Sequence, residues 1–562
     1  MKWHILMLVL CLALCGCATI PTSGTIDEVP VPGDPAGVQI APQPPQGDDD
    51  PAQIVEGFLL AMTQSDASYK VARAYLTPQA SQKWEPHRRT RIFKGSVTQS
   101  DGAYGIEGTV LGEIDGTSHY QPVSSRLQHD FKLVQIDGQW RIDNPPEGIL
   151  LSRYLFERLY QQLTVYFSGH NDEVLVPELL TLPEAEVAPS KVVEALIQGP
   201  STRLAGTARN AMPTGAALGR EGATVNDSGV VTVDLTGLPV TMPSDQRRRL
   251  GAQLLWSLSS VPRVTGLRVT VDRAQFDLPG QSAEGVLELA TQQGYSVLSR
   301  VTTQELFVVQ DGRPGILSDN GRFVALDREL PAAAEVAIAL DGSKLAVIGA
   351  ERKMLHLGPK DGPLASVQTG LTNLRDSQWV RDSLYVLGDS NNRETRLLRV
   401  SAKSEVQPID VNLPQGMTIR AFSVHQAGAT AVVVAEDADG MHMGRMVVSA
   451  KRGFEQWQEL PLIGPSGQAM TGLTDIRWNS ESSLVVAGNL DEQPSVVLLS
   501  ADGAFIQELG SFRDPIHSIA ALPRQGGGLI AMRSNDGRVW RYTAPNRWTS
   551  DDVSVSALAF PG

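Results

Sequence analysis

The pattern of apolar and polar positions changes character several times along the 562 residues. Residues 5–14 (ILMLVLCLAL) are continuously apolar and follow Lys2. A helical bilayer span needs roughly 20 apolar residues, so this run reads as the core of a signal segment over residues 1–16. Between residues 18 and 50 the apolar pattern vanishes. Eight prolines run from Pro21 to Pro51, aromatic residues are absent, and Asp48-Asp49-Asp50 closes the stretch. A segment with so little to bury cannot offset its ordering entropy, which predicts an extended tether.

Folding signals begin at Asp50-Pro51-Ala52-Gln53, which has an N-cap Asp, a Pro at the first helical position and a Gln three residues after the cap. Ile54, Val55, Phe58, Leu59 and Met62 then recur at helical spacing. A second amphipathic stretch carries Val71, Ala74, Tyr75 and Leu76 before Thr77-Pro78. Strand-like runs follow over 104–114 and 129–142, and Asp137-Gly138 sits between two apolar runs as a two-residue hairpin turn. Residues 51–150 therefore read as an α+β domain. Helices followed by a curved antiparallel sheet resemble the NTF2-like, cone-shaped fold. Some proteins of that fold are enzymes with an Asp/His pair in the cone. His119, His129 and Asp130 offer those groups here, and their places beside the hairpin read as surface positions.

Residues 160–275 alternate differently. The helix Val193–Gln198 stops at Gly199-Pro200. The turn Met212-Pro213-Thr214-Gly215, the strand Val230–Leu235, a helix with Leu250, Leu254, Leu255 and Leu258 on one face, and the strand Gly266–Asp272 follow in order. This succession of motifs resembles the α/β GerMN domain found in spore-germination lipoproteins. Asp234, at the end of its strand, reads as a backbone-turning carboxylate and not a catalytic one.

From 284 to 562 the pattern repeats: a short apolar strand, a polar turn, a second apolar strand. Taking Leu345, Leu384, Ala431, Leu484 and Leu529 as equivalent gives spacings of 39, 47, 53 and 45. A period near 45 without helical patterning fits the four-stranded blade of a β-propeller, here of about six blades. The final run Val553–Phe560 is expected to complete an early blade and close the ring. Trp379, Trp478 and Trp540 are expected at related blade positions. A pair of β-sandwiches is the competing architecture.

Composition narrows the chemistry. The formal net charge is −14, with 48 Lys and Arg against 62 Asp and Glu. No basic block is present, so nucleic acid is not an expected partner. Cys11, Cys15 and Cys17 are the three cysteines, so no thiol chemistry is available beyond residue 17. Gly-x-Ser-x-Gly, His-Glu-x-x-His and Walker-type phosphate loops are absent from the sequence. His442, between Met441 and Met443, is the nearest approach to a soft-metal site. Alternation on a strand would point the methionines one way and the histidine the other. We therefore expect no catalytic side chain, no metal and no cofactor. The acids that line a propeller funnel are not assignable from sequence, which leaves that funnel open to hydrolytic or carbohydrate-binding chemistry.

Leu14-Cys15-Gly16-Cys17 resembles a bacterial lipobox, which implies cleavage before Cys17 and a diacylglycerol on its sulfur. Several acyl chains anchor a protein stably where one does not. The succession of lipobox, tether over 17–50, NTF2-like domain, GerMN domain and propeller resembles the LpqB family of actinobacterial lipoproteins, and Cys17-Ala18-Thr19-Ile20-Pro21-Thr22-Ser23-Gly24 resembles that family's mature start. The resemblance implies a non-enzymatic lipoprotein anchored to the cell membrane on its extracytoplasmic face. It also implies a regulatory association with an MtrA/MtrB two-component system through the sensor kinase's extracytoplasmic domain. The alternative is an envelope hydrolase or carbohydrate-binding protein that uses the propeller funnel.

Overall fold

The computed structural model describes residues 42–64, 68–100, 103–169, 174–239, 241–464, 466–543 and 547–562. The signal segment, Cys17 and most of the tether lie outside these residues.

Helix α1 (Pro51–Ala61) begins as its sequence requires. Gln53 donates its backbone N–H to Asp50 Oδ1 at 2.9 Å, and Asp50 donates its own to Gln53 Oε1 at 2.8 Å. Ile54, Val55 and Phe58 point into the core. Two short helices follow, α2 (Lys70–Ala74) and α3 (Pro78–Lys83), the latter capped by Thr77 Oγ1. They cover a sheet of order β3-β2-β1-β4, with β1 Thr90–Ser100, β2 Ala103–Ile114, β3 Tyr120–Asp130 and β4 Ile149–Ser152. Strands β1 and β3 escape the sequence reading because their polar and small residues dilute the alternation. The hairpin Leu133–Ile136/Gln139–Ile142 forms as expected. Asp137 and Gly138 have φ of 50° and 79°, the left-handed pair that a tight hairpin turn needs.

After helix α4 (Arg153–Leu159), β5 (Tyr160–Gly169) and β6 (Leu175–Pro183) pair antiparallel. Helix α5 (Pro189–Gln198) ends where Gly199 takes φ 88°. Strand β7 (Val230–Thr236) runs parallel to β8 (Gly266–Val271), joined by α6 (Ser244–Leu258). Leu250, Leu254, Leu255 and Leu258 are all fully buried on α6. Asp234 is not past its strand but inside β7. Its Oδ1 accepts from Thr270 Oγ1 at 2.8 Å and from the Arg273 N–H at 3.1 Å, so it pins the turn after β8.

From Leu306 to Ala559 the chain forms six four-stranded sheets, whereas Leu287–Glu288 pairs with β8, so the ring begins later than the expected residue 284. Blade 1 holds Leu306–Gln310, Arg313–Leu317 and Phe323–Ala325, and its innermost strand is the C-terminal Ala557–Ala559. Blades 2 to 6 start at their inner strands Ala333–Ile338, Thr372–Val380, Thr418–Val424, Thr471–Trp478 and Ile516–Leu522. The closing strand is shorter than expected, because Val553 still belongs to the outer strand of blade 6, Arg547–Ser554. Leu345, Leu384, Ala431, Leu484 and Leu529 are equivalent: each pairs with the last or next-to-last residue of its blade's inner strand. Trp379 and Trp478 occupy that inner-strand position, whereas Trp540 lies on the third strand of blade 6. Two of the three tryptophans are therefore related and the third is not.

Alternation builds the ring. Phe307 and Val309 pack toward blade 2, while Val308 between them packs toward blade 6. Leu484 and Val486 face blade 4, while Val485 and Ala487 face blade 6. Each interface between neighbouring blades thus has its own apolar cluster, which a single blade could not bury alone.

The three folded parts also share contacts. Phe156 stacks on Phe505 with centroids 4.8 Å apart. Arg153 Nη1 donates to the carbonyls of Ile463 and Gly464, both at 2.8 Å. Ala427 and Ala429, at the first turn of blade 4, complete the core beneath α5 and α6.

Candidate functional site

Two places gather charged side chains: the propeller channel, and a cavity where the three folded parts meet. The channel mouth holds about 230 Å³ and is lined by Glu335, Arg352, Asp376, Asp475 and Arg477 among others. The three acids hold one position in the repeat, the third residue before Ile338, Trp379 and Trp478 respectively. Each reaches the next blade's inner strand. Glu335 Oε2 accepts from the Asp376 N–H, Asp376 Oδ2 from the Phe422 N–H and Asp475 Oδ2 from the Ile519 N–H, all at 2.9 Å. Arg477 then bridges Asp376 at 2.7 Å and Asp475 at 2.8 Å, and Arg352 pairs with Glu335 at 2.6 Å. Burial pushes the Asp475 and Glu335 carboxyls up, against the pull of Arg477 and Arg352. These carboxylates are engaged on both sides, by a guanidinium and by a backbone donor. They rivet blade to blade, and that occupies the oxygens an acid–base pair would need.

The second place is larger, about 900 Å³, and draws its walls from all three parts. His119 and Asp115 come from the turn between β2 and β3, Glu178 from β6, and Arg203 from the loop after α5. Arg445 comes from the third strand of blade 4, and His425 and Glu481 from the first turns of blades 4 and 5. His119 Nε2 lies 3.6 Å from Glu178 Oε2, and both side chains are largely buried. Burial pushes the imidazole down, but the facing Glu178 and nearby Asp115 outweigh it, so its pKa is raised. For Glu178 burial pushes the carboxyl up, and His119 with the Ser201 N–H at 3.1 Å pulls it below its usual range. Arg203 is brought down to about 9 by burial and then by the like charge of Arg445. Burial lowers Arg445 too and raises Glu481. His425 is held at about 4 by burial alone. Its Nδ1 accepts from the Ala427 N–H at 3.1 Å, so the neutral ring carries its proton on Nε2.

The residues singled out from sequence do not assemble. His119 and His129 sit at opposite ends of β3, about 30 Å apart at ~3.3 Å per residue. His119 is not a hairpin-surface residue: it belongs to the cavity. His129 Nε2 bonds the Asn144 carbonyl at 2.8 Å, and Asp130 Oδ1 accepts from the Lys132 N–H at 2.9 Å, so both organise the strand end. His442 lies between carboxylates, 3.0 Å from Asp437 and 3.0 Å from Glu459. Met443 is buried on the other face of that strand. Among the described residues no group of three or more His, Cys, Asp or Glu is arranged to hold a metal ion. Cys17 lies outside the described residues. The cavity is not legible in the sequence because its residues are scattered from 115 to 502. The only local hint was the Gly199-Pro200 stop that turns the chain into its wall.

Among the described residues no helix is long and apolar enough to cross a membrane. Residues 44–157 match the family described as Lipoprotein LpqB, N-terminal domain, residues 164–276 match Sporulation and spore germination, and residues 325–554 match Lipoprotein LpqB beta-propeller domain. The Lipoprotein LpqB of Cutibacterium acnes is 28% identical over 97% of this chain and 97% of its own length. That of Thermobifida fusca is 26% identical over 94% of this chain and 96% of its own, and that of Streptomyces avermitilis 28% over 98% and 96%. Among solved structures, a putative TolB from Agrobacterium tumefaciens aligns with 44% of this chain and 86% of its own, at 12% identity and a TM-score of 0.32. With its successive parts matched in order and its relatives aligned over nearly their whole lengths, the chain belongs to the LpqB lipoprotein family.

Proposed function

We propose that this lipoprotein is held on the extracytoplasmic face of the cell membrane by lipid on Cys17 and acts as a regulatory partner of an MtrA/MtrB-type two-component system, through the sensor kinase's extracytoplasmic domain. The observation that carries this reading is the state of the channel acids. Glu335, Asp376 and Asp475 are each tied to a guanidinium and to a neighbouring blade's N–H. Their engagement favours a ring that serves as a rigid platform over one that hydrolyses a substrate in its channel. The contacts among the three folded parts support the same reading, since a joined body presents one continuous surface to a partner.

The test is crosslinking of the full-length lipoprotein in membranes, with captured peptides identified by mass spectrometry. Recovery of the sensor kinase's extracytoplasmic segment is expected. Its absence from the captured set, with other envelope proteins present, would contradict the partnership. A fatty-acid probe should label the wild-type chain and not Cys17→Ala. A labelled Cys17→Ala would place the anchor elsewhere.

A further inference from the structure

We propose that the cavity between the three folded parts binds a small anionic molecule, whose carboxylate or phosphate sits between the guanidiniums of Arg203 and Arg445. The argument begins with what these two arginines lack. Arg203 Nη2 donates to the carbonyls of Arg445 at 2.7 Å and Gln456 at 3.1 Å, and Arg445 Nε donates to Gln458 Oε1 at 2.7 Å. Those bonds fix the two forks in place, and Glu178 and Asp502 attract them from nearby without pairing with them directly. Among the described residues neither arginine has a carboxylate within 4.0 Å, whereas Arg153, Arg352, Arg477 and Arg541 each do. The nearby acids are already spoken for. Glu178 faces His119 and accepts from the Ser201 N–H. Asp502 accepts from Gln162 Nε2, Ser500 Oγ and the Ala504 N–H. Two fixed guanidiniums of like charge, placed in a cavity and with no carboxylate paired directly to them, are the arrangement that planar or tetrahedral oxyanions fit best.

A second observation points the same way. Two buried polar atoms on this cavity's lining residues have no hydrogen-bond partner: His425 Nε2 and Glu481 Oε1. The residues His425 and Glu481 are only 3% and 8% exposed. Buried donors and acceptors are rarely left unpaired in a folded protein. His425 Nε2 carries a proton and Glu481 offers an acceptor, so the ligand's remainder should bear hydroxyl or amine groups. Trp478, edge-on to His425 with centroids 4.7 Å apart, supplies an apolar surface. A cavity of about 900 Å³ lies within the ~300–1,000 Å³ range typical of small-molecule sites. The expected class is therefore a hydroxylated anion such as a sugar acid or sugar phosphate. This inference stands independently of the kinase partnership.

The experiment is calorimetric titration of the full-length protein with inorganic phosphate, with glucuronate and with neutral glucose. At least one anion should bind saturably below about 10 mM, and glucose should not. Tighter binding of phosphate would assign the site to phosphoryl groups, and tighter binding of glucuronate to sugar carboxylates. Arg445→Gln and Arg203→Gln should each weaken the bound anion by about tenfold or more, the usual scale for a lost charge-assisted pair. Because Arg203 joins two folded parts, a second readout uses only the wild-type chain. The anion should slow phenylglyoxal modification of Arg203 and Arg445 and leave the exposed Arg393 unaffected. Neither anion binding, glucose binding as well as the anions, arginine variants with unchanged affinity, or modification indifferent to the anion would each overturn the proposal.

Discussion

The propeller channel and the three-part cavity are lined by the same kinds of charged side chain, yet they treat charge in opposite ways. In the channel every acid that faces inward has two partners, and Arg477 lies between two carboxylates at 2.7 and 2.8 Å. In the cavity Arg203 donates to the Arg445 carbonyl, burial lowers the pKa of both arginines, and the like charge of Arg445 lowers that of Arg203 further. The difference follows from how the two places are built. The channel is made by one repeat, so an acid at one repeat position meets a backbone N–H of the next blade's inner strand each time. The cavity is made by three unlike parts, so no repeat enforces pairing there. Channel charges hold the ring together, and cavity charges remain available to a molecule from outside.

Mutations can break this contrast in graded steps. Arg477→Gln should have the largest effect. It would leave Asp376 and Asp475 buried without their shared cation, a loss of about 3–5 kcal/mol by analogy with broken buried pairs. Urea unfolding followed through Trp478, which adjoins Arg477, measures it.

Next comes His425. Its folded pKa of about 4 lies below the unfolded value near 6.5, so the unfolded chain binds the proton first. The stability it contributes is present above pH 6.5 and is lost as pH falls toward 4, by up to about 3 kcal/mol. Unfolding curves between pH 7 and 4 should show this slope, and His425→Leu should flatten it. An unchanged slope in the variant would place the titration elsewhere.

Glu335→Gln should cost less, about 1 kcal/mol. Its partner Arg352 is 36% exposed and keeps the Leu374 carbonyl at 2.9 Å. A thermal melt resolves that difference, and a loss as large as that of Arg477→Gln would show the ring's rivets to be equally weighted.

How much of this was legible beforehand divides along the same line. The capping box at Asp50, the Asp137-Gly138 turn and the blade period rest on short-range chemistry, and the structure carries them where the residues stand. The channel rivets were within reach too. Glu335, Asp376 and Asp475 each precede the inner-strand position of Ile338, Trp379 and Trp478 by three residues. The apolar strands alone do not single out that column. Trp540 departs from the expected position for a related reason: a tryptophan suits the third strand of a blade as well as the first, and nothing local distinguishes them. The cavity was beyond sequence reasoning. His119 meets Glu178, and Arg203 meets Arg445, only because separate folds dock. A histidine after a turn looks like surface until its partner arrives from another sheet.

One measurement tests the contrast most directly: the stability of Arg445→Gln beside that of Arg477→Gln under identical conditions. If Arg445 is a cation with no carboxylate paired directly to it, replacing it relieves its repulsion of Arg203 and removes one bond to Gln458. The net change should then be within about 1 kcal/mol of zero, or stabilising, while Arg477→Gln falls by several times as much. Equal, large losses for both variants would mean that Arg445 is a structural rivet like Arg477, and the separation of a committed channel from an available cavity would not stand.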